Sequence, residues 1–221
     1  MEPHPGRRLR ADAARNRQRL IEAAAEVFAA RGLNATLDDI AKHAGVNVAT
    51  AYRNFTSKHE LAREFLAQCV DRAVEVAEEA ATAPDPWQGL TQFLERSLEL
   101  AASNRALVDI LTRAYDAEVF GQMLDRVSPP LDRLLARGRE AGVIRADVTA
   151  TDFVPILEML ATITGLGVPG IPYLPHRYIA LILAGLRPGS DPLPGSPPAL
   201  EKLREVATTR APHIKTTGVT P

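Results

Sequence analysis

Residues 45–55 read GVNVATAYRNF, and two patterns share this stretch. Val48, Ala51 and Phe55 recur at the three- and four-residue steps of a helix that buries one face. Thr50, Tyr52, Arg53 and Asn54 are left over, a polar set that a purely structural helix of this length does not need. If Val48, Ala51 and Phe55 pack inward, then Ala49, Thr50, Arg53 and Asn54 project from the free side with Tyr52 at the boundary. Those groups suit a DNA groove. Small residues at 49 and 51 allow close approach, the hydroxyls of Thr50 and Tyr52 reach phosphates, and Arg53 pairs with either a phosphate or a guanine edge. The helix start at Asn47 and Val48 aims backbone N–H groups at a phosphate.

The flanking sequence supplies a frame for that helix. From Arg15 to Ala30, Leu20, Ala23, Ala24, Val27 and Phe28 keep the spacing of an amphipathic helix, and Gly32 offers a left-handed stop. The run TLDD makes Thr36 an N-cap and places Asp39 for a capping box, opening a second helix that runs to about His43. Gly45 takes positive φ and Asn47 caps the third helix. Helix, glycine turn, helix is the helix-turn-helix plan. Ser57 and Glu60 form a second capping box, from which a long helix continues to Pro84 and Pro86.

Beyond Pro86 the chain reads as further helices over 86–103, 105–115, 117–141 with SPP interrupting it, 150–165 and 176–187. Pro155 should kink or shorten the fourth of these, and GLGVPGIPYLP is a loop. No period-two strand and no internal repeat stands out, so the fold class is all-α. From Pro188 seven prolines fall in 34 residues, which predicts a mobile tail with one short helical stretch at ALEKLREVA. The expected organisation is a flexible basic arm (1–14), a helix-turn-helix domain (15–62), a helical ligand-binding and dimerisation domain (63–187) and a Pro-rich tail (188–221).

Composition narrows the function classes. The net charge of −1 hides an asymmetry: residues 1–63 carry eleven Lys/Arg against seven Asp/Glu, and the remainder fifteen against twenty. A basic amino-terminal part is what a phosphate-binding surface requires, although solvated faces also vary this much. Arg7, Arg8 and Arg10 either reach a groove or belong to a frayed arm. The 46% hydrophobic content suffices for real cores. One cysteine, Cys69, cannot form an internal disulfide and reads as a core filler. No secretory leader is visible, and the longest apolar runs fall short of the ~20 residues of a bilayer span. A soluble, cytoplasmic protein with no membrane partner is expected. His43 and His59 lack metal-ligand spacing, and no ExxH pair, phosphate loop or nucleophile elbow occurs. No catalytic residue, metal or cofactor is therefore assigned.

RLIEAAAEVFAARGLNATLDDIAKHAGVNVATAYRNFTSKHEL resembles, in order, the first helix, the second helix with its AGV turn, the T.Y..F third helix and the SK..L start of the fourth in the tetracycline-repressor (TetR) family of bacterial transcription regulators. The resemblance implies a dimeric DNA-binding regulator, most often a repressor, on a palindromic double-stranded operator. It implies DNA contacts at Thr36, Asn47, Thr50, Tyr52, Arg53 and Lys58, to which the reading of the third helix adds Val48 and Ala49. Asn47 stands where the family usually has serine, and Arg53 where it often has histidine. The carboxy-terminal half is similar to the family's effector domain, which implies a small hydrophobic ligand, with Trp87, Phe93, Tyr115, Met123, Glu158 and Thr162 as candidate liners. Such side chains on amphipathic helices also serve simply as core or surface. In one branch of the family the last two helices form a four-helix homodimer interface, which points to Ile179, Ile182, Leu183 and Leu186; the plain alternative is that this face packs within the monomer. The competing function class is an all-helical ligand-binding or scaffold protein that keeps the three-helix unit only for packing.

Overall fold

The structure, a computed structural model, describes residues 5–31, 35–103, 117–166, 171–189 and 191–210. Nine α-helices lie among them and no strand. The predicted stop at Gly32, the 105–115 helix and Tyr115 fall outside the described residues, as do the side chains of Arg7, Arg8 and Arg10.

The first helix, α1, spans Pro5–Arg31 and begins ten residues before the predicted Arg15, so residues 5–14 continue the helix and are not an arm. Periodicity could not see this extension, because Leu20 is the first buried position among the residues whose side chains are described, and residues 12–15 are exposed. Pro5 suits a first helical position, where a missing N–H costs nothing. Helices α2 (Leu37–His43) and α3 (Val48–Asn54) start and stop as expected. Thr36 and Asp39 close a complete capping box, with Asp39 N donating to Thr36 Oγ1 at 3.1 Å and Thr36 N to Asp39 Oδ2 at 3.0 Å. Gly45 has φ 61° and turns the chain from α2 to α3.

The connector α4 runs Lys58–Thr82. Ser57 Oγ accepts from Glu60 N at 3.2 Å, but only half of the predicted box forms. The Glu60 carboxylate accepts from the backbone N–H and the hydroxyl of Thr56, both at 2.7 Å, one residue earlier than expected. At 25 residues α4 is about 37 Å long and contributes to two cores. Its amino-terminal half, with Leu61, Phe65 and Leu66, packs against Leu20, Phe28, Ile40, Ala51 and Phe55. Its far half, with Val76, Ala77 and Ala80, packs in a second core under α5 (Pro86–Ser103), α6 (Ala117–Glu140), α7 (Phe153–Leu166) and α8 (Leu174–Leu186). Gly89 lets α5 approach closely, since a Cβ there would lie 2.5 Å from the Ala80 carbonyl oxygen. Arg137 of α6 donates to the carbonyls of Ala81 (2.6 Å) and Ala83 (2.7 Å), satisfying acceptors freed at the end of α4.

Two proline expectations are corrected. SPP does not interrupt α6: Pro129 and Pro130 lie inside one continuous helix. Leu131, Leu134 and Leu135 follow directly and are buried. At roughly 1.5–3 kcal/mol for each buried leucine, they offset a penalty of about 3 kcal/mol for an interior proline. Pro155 does not shorten α7 either, because a 3₁₀ turn at Ala150–Asp152 leads into the helix and puts this proline in the first α-helical turn. Among its described residues the tail contacts the rest of the chain, and the helical stretch expected at ALEKLREVA forms. Asp191 O accepts from Arg145 Nη2 at 2.9 Å, and Leu193 N donates to Asp147 Oδ2 at 2.8 Å. A ninth helix, α9 (Leu200–Arg210), then lays Leu200 and Leu203 on Phe120 and Leu124 of α6, with Arg204 paired to Asp125.

Candidate nucleic-acid interface

The local chemistry of α3 is set at both ends. Asn47 Oδ1 accepts from Ala49 N at 2.9 Å, which caps the helix, and Asn47 O accepts from Thr50 N at 2.8 Å. Ala51 and Phe55 are fully buried and Val48 packs half-buried on the same core. Ala49, Tyr52 and Arg53 are exposed, and their i, i+3, i+4 spacing makes one outward stripe beside half-buried Thr50. Tyr52, at 53% exposure, belongs to this free side more fully than a boundary position would. Two expectations change. Ala51 faces the core, so only Ala49 gives the outward face its low profile. Asn54 turns back, its Nδ2 donating to Thr50 O at 2.8 Å.

The remaining predicted residues flank the stripe. Thr36 is exposed, but its hydroxyl is engaged with Asp39, to which it donates at 2.7 Å. These hydrogen bonds from Thr36 hold the Asp39 carboxyl below its usual range. Lys58 is half-buried at the first position of α4. Asp38, by hydrogen bonding and then by its charge, raises the Tyr52 phenol above its ordinary pKa.

Sequence reasoning missed Arg17 and Glu64. Arg17 Nη1 donates to Asn54 O at 2.6 Å and Nε to Glu64 Oε1 at 2.9 Å, while the guanidinium lies 4.2 Å over the Phe55 ring. Glu64 raises the Arg17 pKa, first through this hydrogen bond. The only sequence signal was a basic residue just ahead of the apolar rhythm, which does not reveal partners 37 and 47 positions away.

A second candidate site lies in the distal core. A cavity of about 170 Å³ opens between α4, α5, α6 and α7. Of the predicted liners, Phe93, Met123 and Glu158 border it; Trp87 does not, and instead lies under the Arg187 guanidinium 3.4 Å from the ring centroid. Thr162 is outside as well, exposed and donating to Glu158 O at 2.9 Å. The other walls are chiefly apolar, Leu98, Phe120, Leu124, Phe153 and Leu157 among them, with Ser97 and Ser128 as polar points. The residues assigned to a dimer interface look inward: Ile179 and Leu186 are buried in the distal core, and Ile182 and Leu183 pack on it. The exposed large apolar residues described at this end include Tyr178 and Leu181 of α8, Met159 of α7, Tyr173 just before α8 and Leu193 beyond it.

Among the described residues no cluster of His, Cys, Asp or Glu is arranged to hold a metal ion. No helix among them is long and apolar enough to cross a membrane. Cys69 is buried, its thiol pushed up to about 12, which keeps it protonated and unreactive.

Comparison with known proteins places both halves. Residues 20–65 match the family model described as bacterial regulatory proteins, tetR family, and residues 85–188 match the SbtR-like transcriptional regulator carboxy-terminal domain. The chain is 31% identical over 157 residues, 69% of each protein, to the HTH-type transcriptional repressor BepR of Brucella suis. To the HTH-type transcriptional regulator SrpR of Pseudomonas putida it is 47% identical over 62 residues, 28% of this chain and 29% of that protein. The crystal structure of a TetR transcription regulatory protein from Mycobacterium vanbaalenii is similar with a TM-score of 0.60 and 33% identity, covering 81% of this chain and 99% of the other.

Proposed function

The chain belongs to the TetR family of bacterial transcriptional regulators, a non-enzymatic DNA-binding family, and from that premise we propose that it is a cytoplasmic repressor. It binds a palindromic operator as a homodimer and is released by a small, largely apolar ligand. The observation that carries this reading is the outward stripe of α3: Ala49, Tyr52 and Arg53 exposed beside Thr50, on a helix whose opposite side packs on the core through Val48 and fully buried Ala51. Such a helix fits a major groove, with hydroxyls for phosphates and a guanidinium for a phosphate or a guanine. Val48 and the capped start at Asn47 supply N–H groups for a phosphate, and Thr36 and Lys58 border the groove. Repression is taken from BepR, which is named a repressor. Family membership sets aside the reading as a scaffold that does not bind DNA.

Two-fold symmetry follows from the need to read two half-sites. The face proposed for the seam is now Met159, Tyr178 and Leu181, since Ile179 and Leu186 serve the monomer core. The cavity beside α4 is the proposed ligand site, and its apolar walls select an apolar compound. A ligand there controls DNA binding only by favouring a conformation in which the two α3 helices no longer match the half-sites. The test is selection from a random duplex library by the purified protein. Enrichment of a two-fold palindrome, bound less tightly as salt rises, is expected; folded protein that enriches no palindrome contradicts the reading.

A further inference from the structure

We infer that Arg17 is a positioning residue for operator binding: it fixes the direction of α3 relative to α4, so that movement of the connector turns the reading helix. The inference rests on α3 being the DNA-reading element. Arg17 sits on α1, three residues before buried Leu20, and belongs to neither of the helices it joins. Its Nη1 donates to the carbonyl of Asn54, the last residue of α3, at 2.6 Å. Its Nε donates to Glu64 Oε1 of α4 at 2.9 Å, and its Nη2 is paired with Glu64 Oε2. The planar fork of a guanidinium can hold a carboxylate through two nitrogens and still spare a donor for a carbonyl; an ammonium cannot. That carbonyl lies at the negative end of the α3 dipole and has no acceptor role within the helix, so a cation there is favoured twice.

Why this grip matters follows from how α3 is attached. The helix has seven residues, packs chiefly on α1 and α2, and shares a core with α4 through Ala51 and the Phe55 that follows it. Its covalent link to α4 is Phe55, Thr56 and Ser57, which reaches only the first residue of the connector. That link is already held to the first turn of α4, since the N–H and hydroxyl of Thr56 donate to the Glu60 carboxylate at 2.7 Å. Glu64 lies six residues beyond Lys58, about 9 Å along the α4 axis, and an attachment at that distance constrains the angle between α3 and α4 more strongly than one at the first turn. Phe55, fully buried beneath the guanidinium at 4.2 Å, closes the joint from the core side.

The test uses the palindromic duplex selected by the wild-type protein, with two variants, Glu64→Gln and Arg17→Lys. Glu64→Gln is nearly isosteric and removes a negative charge from the DNA-binding end, so electrostatics alone leaves binding to a polyanion unchanged or improves it. The expected result has the opposite sign: a loss of operator affinity of roughly fivefold or more, at the low end of typical coupling between sites. Arg17→Lys keeps the charge and loses the fork, and the same loss is expected, with the slope of affinity against salt unaltered because no phosphate contact has gone. Circular dichroism and melting establish that each variant is folded. Glu64→Gln protein that binds as well as wild type or better, Arg17→Lys protein that binds normally, or a reduced salt slope in Arg17→Lys overturns the assignment. Failure of the wild type to select any palindrome strikes at the DNA-reading role of α3 instead.

Discussion

Tyr52 shows how closely fold and function share single side chains. Its ring stands out from α3 at 53% exposure, while the Asp38 carboxylate holds its phenol above the ordinary pKa. A phosphate that takes this hydroxyl must compete with Asp38, so the net worth of the contact is that of one ordinary hydrogen bond. Tyr52→Phe should weaken operator binding by about 1 kcal/mol with the fold intact, as read by fluorescence anisotropy. Arg53→Ala should cost roughly 1–3 kcal/mol and relax the preference at one position of each half-site. An equal loss across all sequences makes Arg53 a phosphate contact. Thr36 carries a pH signature. Its hydrogen bonds depress the Asp39 pKa below 3.8, so their contribution to stability is complete above that value and fades as pH falls through the lower folded-state value. Thr36→Val should therefore lower the melting temperature at neutral pH, with the gap to wild type narrowing below about pH 4, where calorimetry can follow it. A variant whose gap is constant from neutral to acid removes Asp39 from this role.

At the scale of elements, legibility followed the range of the interaction. The capping groups of α2 and α3 are local, Thr36 with Asp39 and Asn47 with Ala49, and those helices begin where the sequence places them. The apolar rhythm located the buried side of α1 but not its polar extension to Pro5. Proline misled twice, for different reasons. The burial of Leu131, Leu134 and Leu135 that carries α6 through Pro129 and Pro130 is tertiary, whereas Pro155 lies in a first helical turn, where its missing N–H costs little. The contacts of the tail are tertiary as well: composition does not reveal that Leu200 and Leu203 have Phe120 and Leu124 as partners. Phe120 and Leu124 also wall the cavity, so α9 buttresses that wall from behind. Leu203→Asp should undock α9 and speed hydrogen exchange in the first turns of α6, because a buried, unpaired carboxylate is costly. Exchange equal to wild type there means that α9 does not hold the wall.

Across the whole molecule, α4 joins the helix-turn-helix core to the distal core, and its contacts with α6 include exposed ion pairs, Asp71 with Arg126 at 2.7 Å and Glu78 with Arg133 at 2.6 Å. Pairs so exposed contribute at most about 1 kcal/mol each, so the contact between α4 and α6 rests on the buried packing of Val76, Ala77 and Ala80 with Leu131, Leu134 and Leu135. The division into a helix-turn-helix part and a distal helical part was anticipated from charge asymmetry and the resemblance, whereas two of the four residues expected at a subunit seam, Ile179 and Leu186, are buried in the monomer core and Ile182 and Leu183 are half-buried against it. Periodicity locates an apolar face without saying whether it meets the monomer's own core. Ile179 and Leu186 turned out to be core, and Leu181, 57% exposed, stands on the other side of α8. Leu181→Glu should shift light scattering from dimer towards monomer while leaving the monomer folded; an unchanged dimer places the seam elsewhere. The central claim is that the outward face of α3 reads the operator, and it is tested most directly by repeating the library selection with Thr50→Ala and Arg53→Ala combined in one protein. The expected result is a folded protein of unchanged oligomeric state that no longer enriches the wild-type palindrome, and recovery of the same palindrome with the same enrichment would contradict it.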